Sequence, residues 1–158
     1  MKQLPGEACH GIRGIYIPFN VPSSKNGKVS YTPGIVINSP ATQRWRRVTK
    51  PYWIKYKEEF LNSIKDLPKP HYLLLTFIRQ SKHKFDYINP AQTVQDEMKT
   101  YGWIEDDNCD EIKPFFGDYI YDKVNPGVYI EILTDKNKIN DLLCYSRTDT
   151  AVSTVTGA

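Results

Sequence analysis

The chain has 158 residues, of which 40% are hydrophobic and 13% aromatic, enough for one domain with a real core. No apolar run approaches the roughly 18 residues needed to cross a bilayer, so a membrane-spanning protein is not expected. Net charge is only +3, but Glu105, Asp106, Asp107, Asp110 and Glu111 put −5 within seven residues and leave +8 for the rest, a basic body with one acidic locus that suits an enzyme or binder of a polyanion.

Residues 1–12 read as an irregular lead-in without an apolar signal core, which leaves a soluble, cytoplasmic protein as the expectation. Ile12 to Phe19 has β-favouring character (Ile15, Tyr16, Ile17) and reads as a strand. Val21 to Lys28 (VPSSKNGK) is a turn-rich loop. Within it Lys25 and Lys28 stand among small residues, where they can reach a phosphate. Gly34 to Asn38 reads as another short strand.

Arg44-Trp45-Arg46-Arg47-Val48-Thr49-Lys50 is the densest basic run. Arg44, Arg46 and Arg47 around an aromatic can grip a sugar-phosphate backbone while Trp45 stacks on a base. The same run also reads as an amphipathic segment with Trp45 in the core and the arginines in solvent. Thr49 as cap and Pro51 in the first turn predict a helix from there to about Lys65. Its core face is Trp53, Tyr56, Phe60 and Ile64, at helical spacing. Pro68 and Pro70 end it.

His71 to Ile78 is too apolar and β-rich for an edge and reads as a central strand buried on both faces. The next helix is signed by Asn89 as N-cap and Pro90 at the first helical position. Ala91, Val94, Met98 and Tyr101 make its inner face, and Gly102 caps its C-terminus. After the acidic cluster, Ile112 to Tyr121 and Gly127 to Leu133 read as two strands joined by a turn at Asn125-Pro126-Gly127. Residues 135–158 form a polar tail expected to be partly disordered. The fold class is therefore α+β: one domain over residues 13–134, with a mixed sheet of about four or five strands and two helices.

Cys9, Cys109 and Cys144 are scattered singly, so neither a zinc knuckle nor a disulfide framework is indicated. Free thiols in a reducing compartment are expected. Oxygen chemistry is better supplied. Asp86 lies just beyond the central strand, and Asp106 and Asp107 just beyond the following helix. Acids in two such places can converge on a hard divalent cation, which takes one or two carboxylates plus water and phosphate oxygens. The helix from Pro90 to Tyr101 spans 12 residues, roughly 18 Å. Gly102 to Asp107 reaches at most about 16–18 Å when extended. A chain that doubles back can therefore just return Asp107 to Asp86, and with less slack the pocket needs a partner subunit.

The order strand, basic residues, Asp86-Tyr87-Ile88-Asn89, helix, Gly102, Asp106-Asp107-Asn108, then closing strands resembles the RusA-type Holliday-junction resolvases of bacteria and their phages. Val21-Pro22-Ser23-Ser24-Lys25-Asn26 is similar to the Pro-rich, Asn-containing loop after that family's first strand. The resemblance covers roughly residues 13–133 and is strongest over 84–108. It implies a homodimer that uses Mg²⁺ or Mn²⁺ to make paired nicks in branched DNA, leaving a 5′-phosphate and a 3′-hydroxyl. On that resemblance Asp86 and Asp107 are metal ligands, Asp106 assists, and Asn89 supports the site. Lys25, Asn26, Lys28 and Lys84 face DNA. Two departures stand out. The family's second acid falls on Ile88, which cannot bind a metal, and a helix lysine falls on Gln92. A RusA-like protein that binds DNA without cutting it is the alternative, and a structural protein with an aromatic interaction surface is a third.

Overall fold

The computed structural model describes residues 10–25 and 28–148. Strand β1 (Ile15–Pro18) is followed by a hairpin, β2 (Lys28–Thr32) and β3 (Ile35–Asn38), and by helix α1 (Pro40–Ile64). Then come β4 (His71–Arg79), α2 (Ile88–Thr100), β5 (Ile112–Phe116), β6 (Ile120–Tyr121), β7 (Gly127–Ile132) and α3 (Lys136–Thr148). The main sheet has five strands in the order β1-β7-β4-β5, with β6 also on β4, while β2 and β3 pair separately. β4 is antiparallel to β7 but parallel to β5 and β6. The sheet is thus mixed and the class is α+β.

β4 is central because its sequence allows it. Leu73, Leu75, Phe77 and Ile78 are fully buried, and Thr76 nearly so. Residues of both parities are inside, so both faces of the strand are covered at its C-terminal half. The core lies between this sheet and the two long helices. From α1 it takes Trp45, Trp53 and Phe60, and from α2 Ala91, Val94 and Met98. Tyr56, Ile64 and Tyr101 pack against its margin. Trp103 joins the helices: its indole N–H donates to Trp53 O at 2.9 Å, and its ring lies 4.8 Å from Phe60 and 5.0 Å from Trp53.

Several expectations change. Helix α1 begins at Pro40, not after Thr49. Ser39 Oγ accepts from the Thr42 amide at 3.3 Å and Pro40 occupies the first turn, so the start signal sits ten residues earlier. Thr49 is mid-helix and buried. Its hydroxyl donates to Trp45 O at 2.8 Å and accepts the Trp53 indole N–H at 3.1 Å. Pro51 lies inside the helix, and a proline there withholds one hydrogen bond from the preceding turn.

Asn89 is not the N-cap of α2. The helix starts at Ile88 with Tyr87 in the cap position and no side-chain cap bond. The first amides bond to backbone instead, Asn89 N to Asp86 O and Ala91 N to Tyr87 O. Gly102 ends α2 as the pattern predicts. At φ 72° it allows Trp103 N to reach Met98 O at 2.8 Å and Gly102 N to reach Lys99 O at 3.1 Å, the paired bonds of a left-handed helix stop.

The Ile112–Tyr121 segment is two strands rather than one, and the loop after Val21 enters β2 at Lys28. A third helix forms where a partly disordered tail was expected. Asp135 Oδ1 accepts from Asn137 N at 2.8 Å, and Ile139, Leu142 and Leu143 are half-buried on one face of α3. Residues 149–158 lie outside the described part. No described helix is long and apolar enough to cross a membrane.

Candidate functional site

Asp86 follows the C-terminal end of β4 and immediately precedes α2. Its Oδ2 accepts from Asn89 Nδ2 at 3.4 Å. An acid here also faces the positive end of the helix dipole. Beside it is a cavity of about 300 Å³ lined by Lys25, Arg79, Lys84, Asp86 and Asn89 among others. Three cations and one carboxylate thus share a recess.

The loop that brings Lys25 there is pinned to α2. Ser24 N donates to Asn89 O at 3.2 Å, Ser24 Oγ to Gln92 Oε1 at 3.1 Å, and Thr93 Oγ1 to Pro22 O at 3.0 Å. Gln92 therefore holds the loop. Arg79 closes the recess from the sheet. Its Nη1 donates to Val21 O at 2.9 Å, and its guanidinium lies 4.6 Å above the Phe85 ring. Burial lowers the Arg79 pKa from its ordinary value. Arg79 was not among the predicted site residues. Its position as the last residue of the central strand, before Lys82 and Lys84, was the available signal.

The second acidic group does not reach this recess. Asp106 accepts from Lys99 Nζ at 2.5 Å and from Asn108 Nδ2 at 2.9 Å, and Asp107 lies 3.9 Å from the same ammonium. Lys99 is in the last turn of α2. The lysine bond, then Asn108 and the Asp107 amide, hold the Asp106 carboxyl well below the ordinary carboxylate range. Glu111 and Glu105 pair instead with Lys69, at 2.6 and 3.5 Å. The acidic cluster is thus stapled by two lysines.

The 13 residues of α2 extend about 20 Å, and Asp86 stands at one end while Asp106 and Asp107 stand at the other. The chain does not double back along the helix, and topology says why. β5 runs parallel to β4, with Ile112 beside His71. After α2 the chain must therefore begin β5 at the start of β4, whereas Asp86 follows the end of β4. Among the described residues no group of three or more His, Cys, Asp or Glu side chains could hold a metal ion. The carboxylates of this chain do not fit the two-acid divalent site expected from the sequence, because among the described residues Asp86 is the single acid lining its cavity.

The basic run behaves otherwise than a grip on DNA by all its members. Trp45 is 4% exposed, and its indole N–H donates to Phe19 O at 3.3 Å, so it is a core residue and not a base-stacking one. Arg46 Nε lies 3.0 Å from Glu97 Oε1, off the hydrogen-bonding direction, and Arg46 Nη2 lies 3.9 Å from Asp96. It serves as the counter-ion of a buried glutamate. Arg44 and Arg47 are exposed on α1. Lys84 and Lys25 are exposed at the cavity. Asn26 lies outside the described residues, and of Lys28 only the backbone, as the first residue of β2, is described.

No family model matches this sequence, and no curated protein matches it.

Proposed function

We propose that this chain acts on branched DNA as a RusA-like homodimer that seats a backbone phosphate in the recess beside Asp86. The observation that carries the reading is the meeting of Lys25, Arg79 and Lys84 in one cavity at the end of the central strand. A phosphodiester is the common polyanion that rewards such a convergence, because Arg and Lys donate charge-assisted hydrogen bonds to its oxygens. A cytoplasmic location goes with that substrate.

Cutting by paired hydrolytic nicks with Mg²⁺ or Mn²⁺ is the activity that belongs to this reading. It needs carboxylates from two protomers, since among the described residues one protomer places a single acid at the recess. Asp106 and Asp107 are open enough to serve a second chain, with side chains 43% and 36% exposed. The test mixes two variants, Asp86→Asn and Asp107→Asn, and follows nicking of a four-way junction in Mn²⁺. Each variant alone has two broken sites. A mixed dimer assembles one site with both acids, so nicking of one strand returns on mixing. If the parent protein neither retards nor nicks the junction, the whole reading is wrong.

Binding without cleavage is the second reading. Ile88 favours it: this residue opens α2 and is 71% exposed, at the point where the resemblance asks for an acid. A parent protein that retards the junction with a steep salt dependence, yet leaves it intact in Mn²⁺, establishes this second reading over the first.

A further inference from the structure

The end of the sheet that carries the Asp86 recess also carries a cluster of aromatic rings. Tyr87 and Phe116 stack at 5.3 Å with 22° between planes. Phe85 lies 5.0 Å from Tyr87 and meets Tyr119 edge-on at 5.4 Å. The Tyr119 amide donates to the Tyr87 hydroxyl at 3.3 Å, which fixes the loop between β5 and β6 over the start of α2. Inward, the cluster rests on Phe77 of the core, 6.3 Å from Phe85. Outward, it ends in water: Phe116 is 37% and Tyr119 39% exposed. A core would have covered these two rings.

Resting on the DNA reading above, we propose that Phe116 and Tyr119 form a stacking platform for an unpaired nucleobase of the strand whose phosphate occupies the recess. Phe85 lines the recess and also touches Tyr119, so the phosphate seat and the platform are contiguous. Cations stand beside the cluster: Arg79 covers one face of Phe85, and Lys82 Nζ lies 5.1 Å over the Tyr121 ring, while the exposed Asp118 between Phe116 and Tyr119 is an acid that points the phosphates toward the recess side. Every base has a π-face, so such a platform recognises an unstacked base without reading its identity. Bases inside a continuous duplex are stacked on each other and unavailable. The platform therefore selects a position where a base is unpaired or unstacked, as at an opened branch point, over intact duplex.

The test compares the parent, Tyr119→Ala, Tyr119→Phe and a Lys25→Ala/Lys84→Ala double variant. Each is titrated, in the absence of divalent cations, with a fully paired duplex and with the same duplex carrying an unpaired fluorescent adenine analogue. The parent binds the unpaired probe more tightly and changes its fluorescence. Tyr119→Ala weakens binding of that probe about tenfold, the size of one lost base–aromatic stack, and leaves duplex binding as it was. Tyr119→Phe behaves as the parent. The lysine variant weakens both DNAs. If Tyr119→Ala binds both probes as the parent does while the lysine variant loses both, the platform is refuted and the phosphate seat stands. If the parent binds neither DNA, both ideas fall. Unchanged duplex binding by Tyr119→Ala also shows that the variant is folded.

Discussion

Asp106 accepts from Lys99 Nζ at 2.5 Å, and this bond ties the acidic loop to the last turn of α2, a helix length from Asp86. The lysine is the largest of the influences that keep the Asp106 carboxyl ionised, and Asp106 in turn raises the Lys99 pKa above 10.5. In Lys99→Met the Asp106 carboxyl titrates at higher pH than in the parent. Carbon-detected NMR titration of the side-chain carboxyls checks it. The melting temperature hardly moves, because both partners are largely open to solvent.

Arg46 is the charge that lets Glu97 sit at 2% exposure between α1 and α2. Burial raises the Glu97 pKa above 4.5, and Arg46 opposes that rise. Arg46→Ala leaves an uncompensated buried acid. The expected loss is about 2 kcal/mol near neutral pH, discounted from a fully buried pair because Arg46 is one-third exposed. A raised carboxylate pKa means that the folded state holds the proton more tightly. The variant's deficit is therefore largest above the folded pKa and shrinks as pH falls toward 4.5. Urea denaturation at a series of pH values reads the difference.

Asp122 organises the approach to β7. It accepts from the Val124 and Asn125 amides at 2.8 and 3.0 Å, and from His10 Nε2 at 2.9 Å when that nitrogen carries a proton. These bonds, the Asn125 amide first, lower its pKa from 3.8 to about 2. A lowered carboxylate pKa stabilises the fold at pH above 3.8, and that contribution is lost as pH falls through about 2. Asp122→Asn removes this part of the acid transition. Its stability relative to the parent is lowest at neutral pH and recovers on acidification, as followed by circular dichroism.

Phe60 is fully buried and packs on Trp103 at 4.8 Å. Phe60→Ala opens a cavity where α1, α2 and the sheet meet and costs about 4 kcal/mol. The denaturation midpoint falls while the slope stays the same. A similar truncation at exposed Val124 leaves the midpoint within error.

What is written locally in the chain was readable: the doubly buried β4, the apolar stripe of α2 and its stop at Gly102 each depend on residues within a few positions of one another. Starts were harder. Asn89-Pro90 has the form of a helix entrance, but backbone carbonyls of Asp86 and Tyr87 take the free amides first. Thr49-Pro51 has the same form, but an earlier Ser39-Pro40 had already begun the helix.

Sequence order put acids on either side of α2 and cations around Asp86; it carried no information on which of them meet. That was settled by β5 joining β4 in parallel, which sends Asp106 and Asp107 to the far end of the sheet and leaves Lys25, Arg79 and Lys84 with Asp86. Strand direction is set by burial of the whole sheet against α1 and α2, a sum over contacts between residues distant in the chain. The same sum drew Trp45 inside and left Phe116 and Tyr119 at the surface, although all three are large aromatic residues to a reader of the sequence.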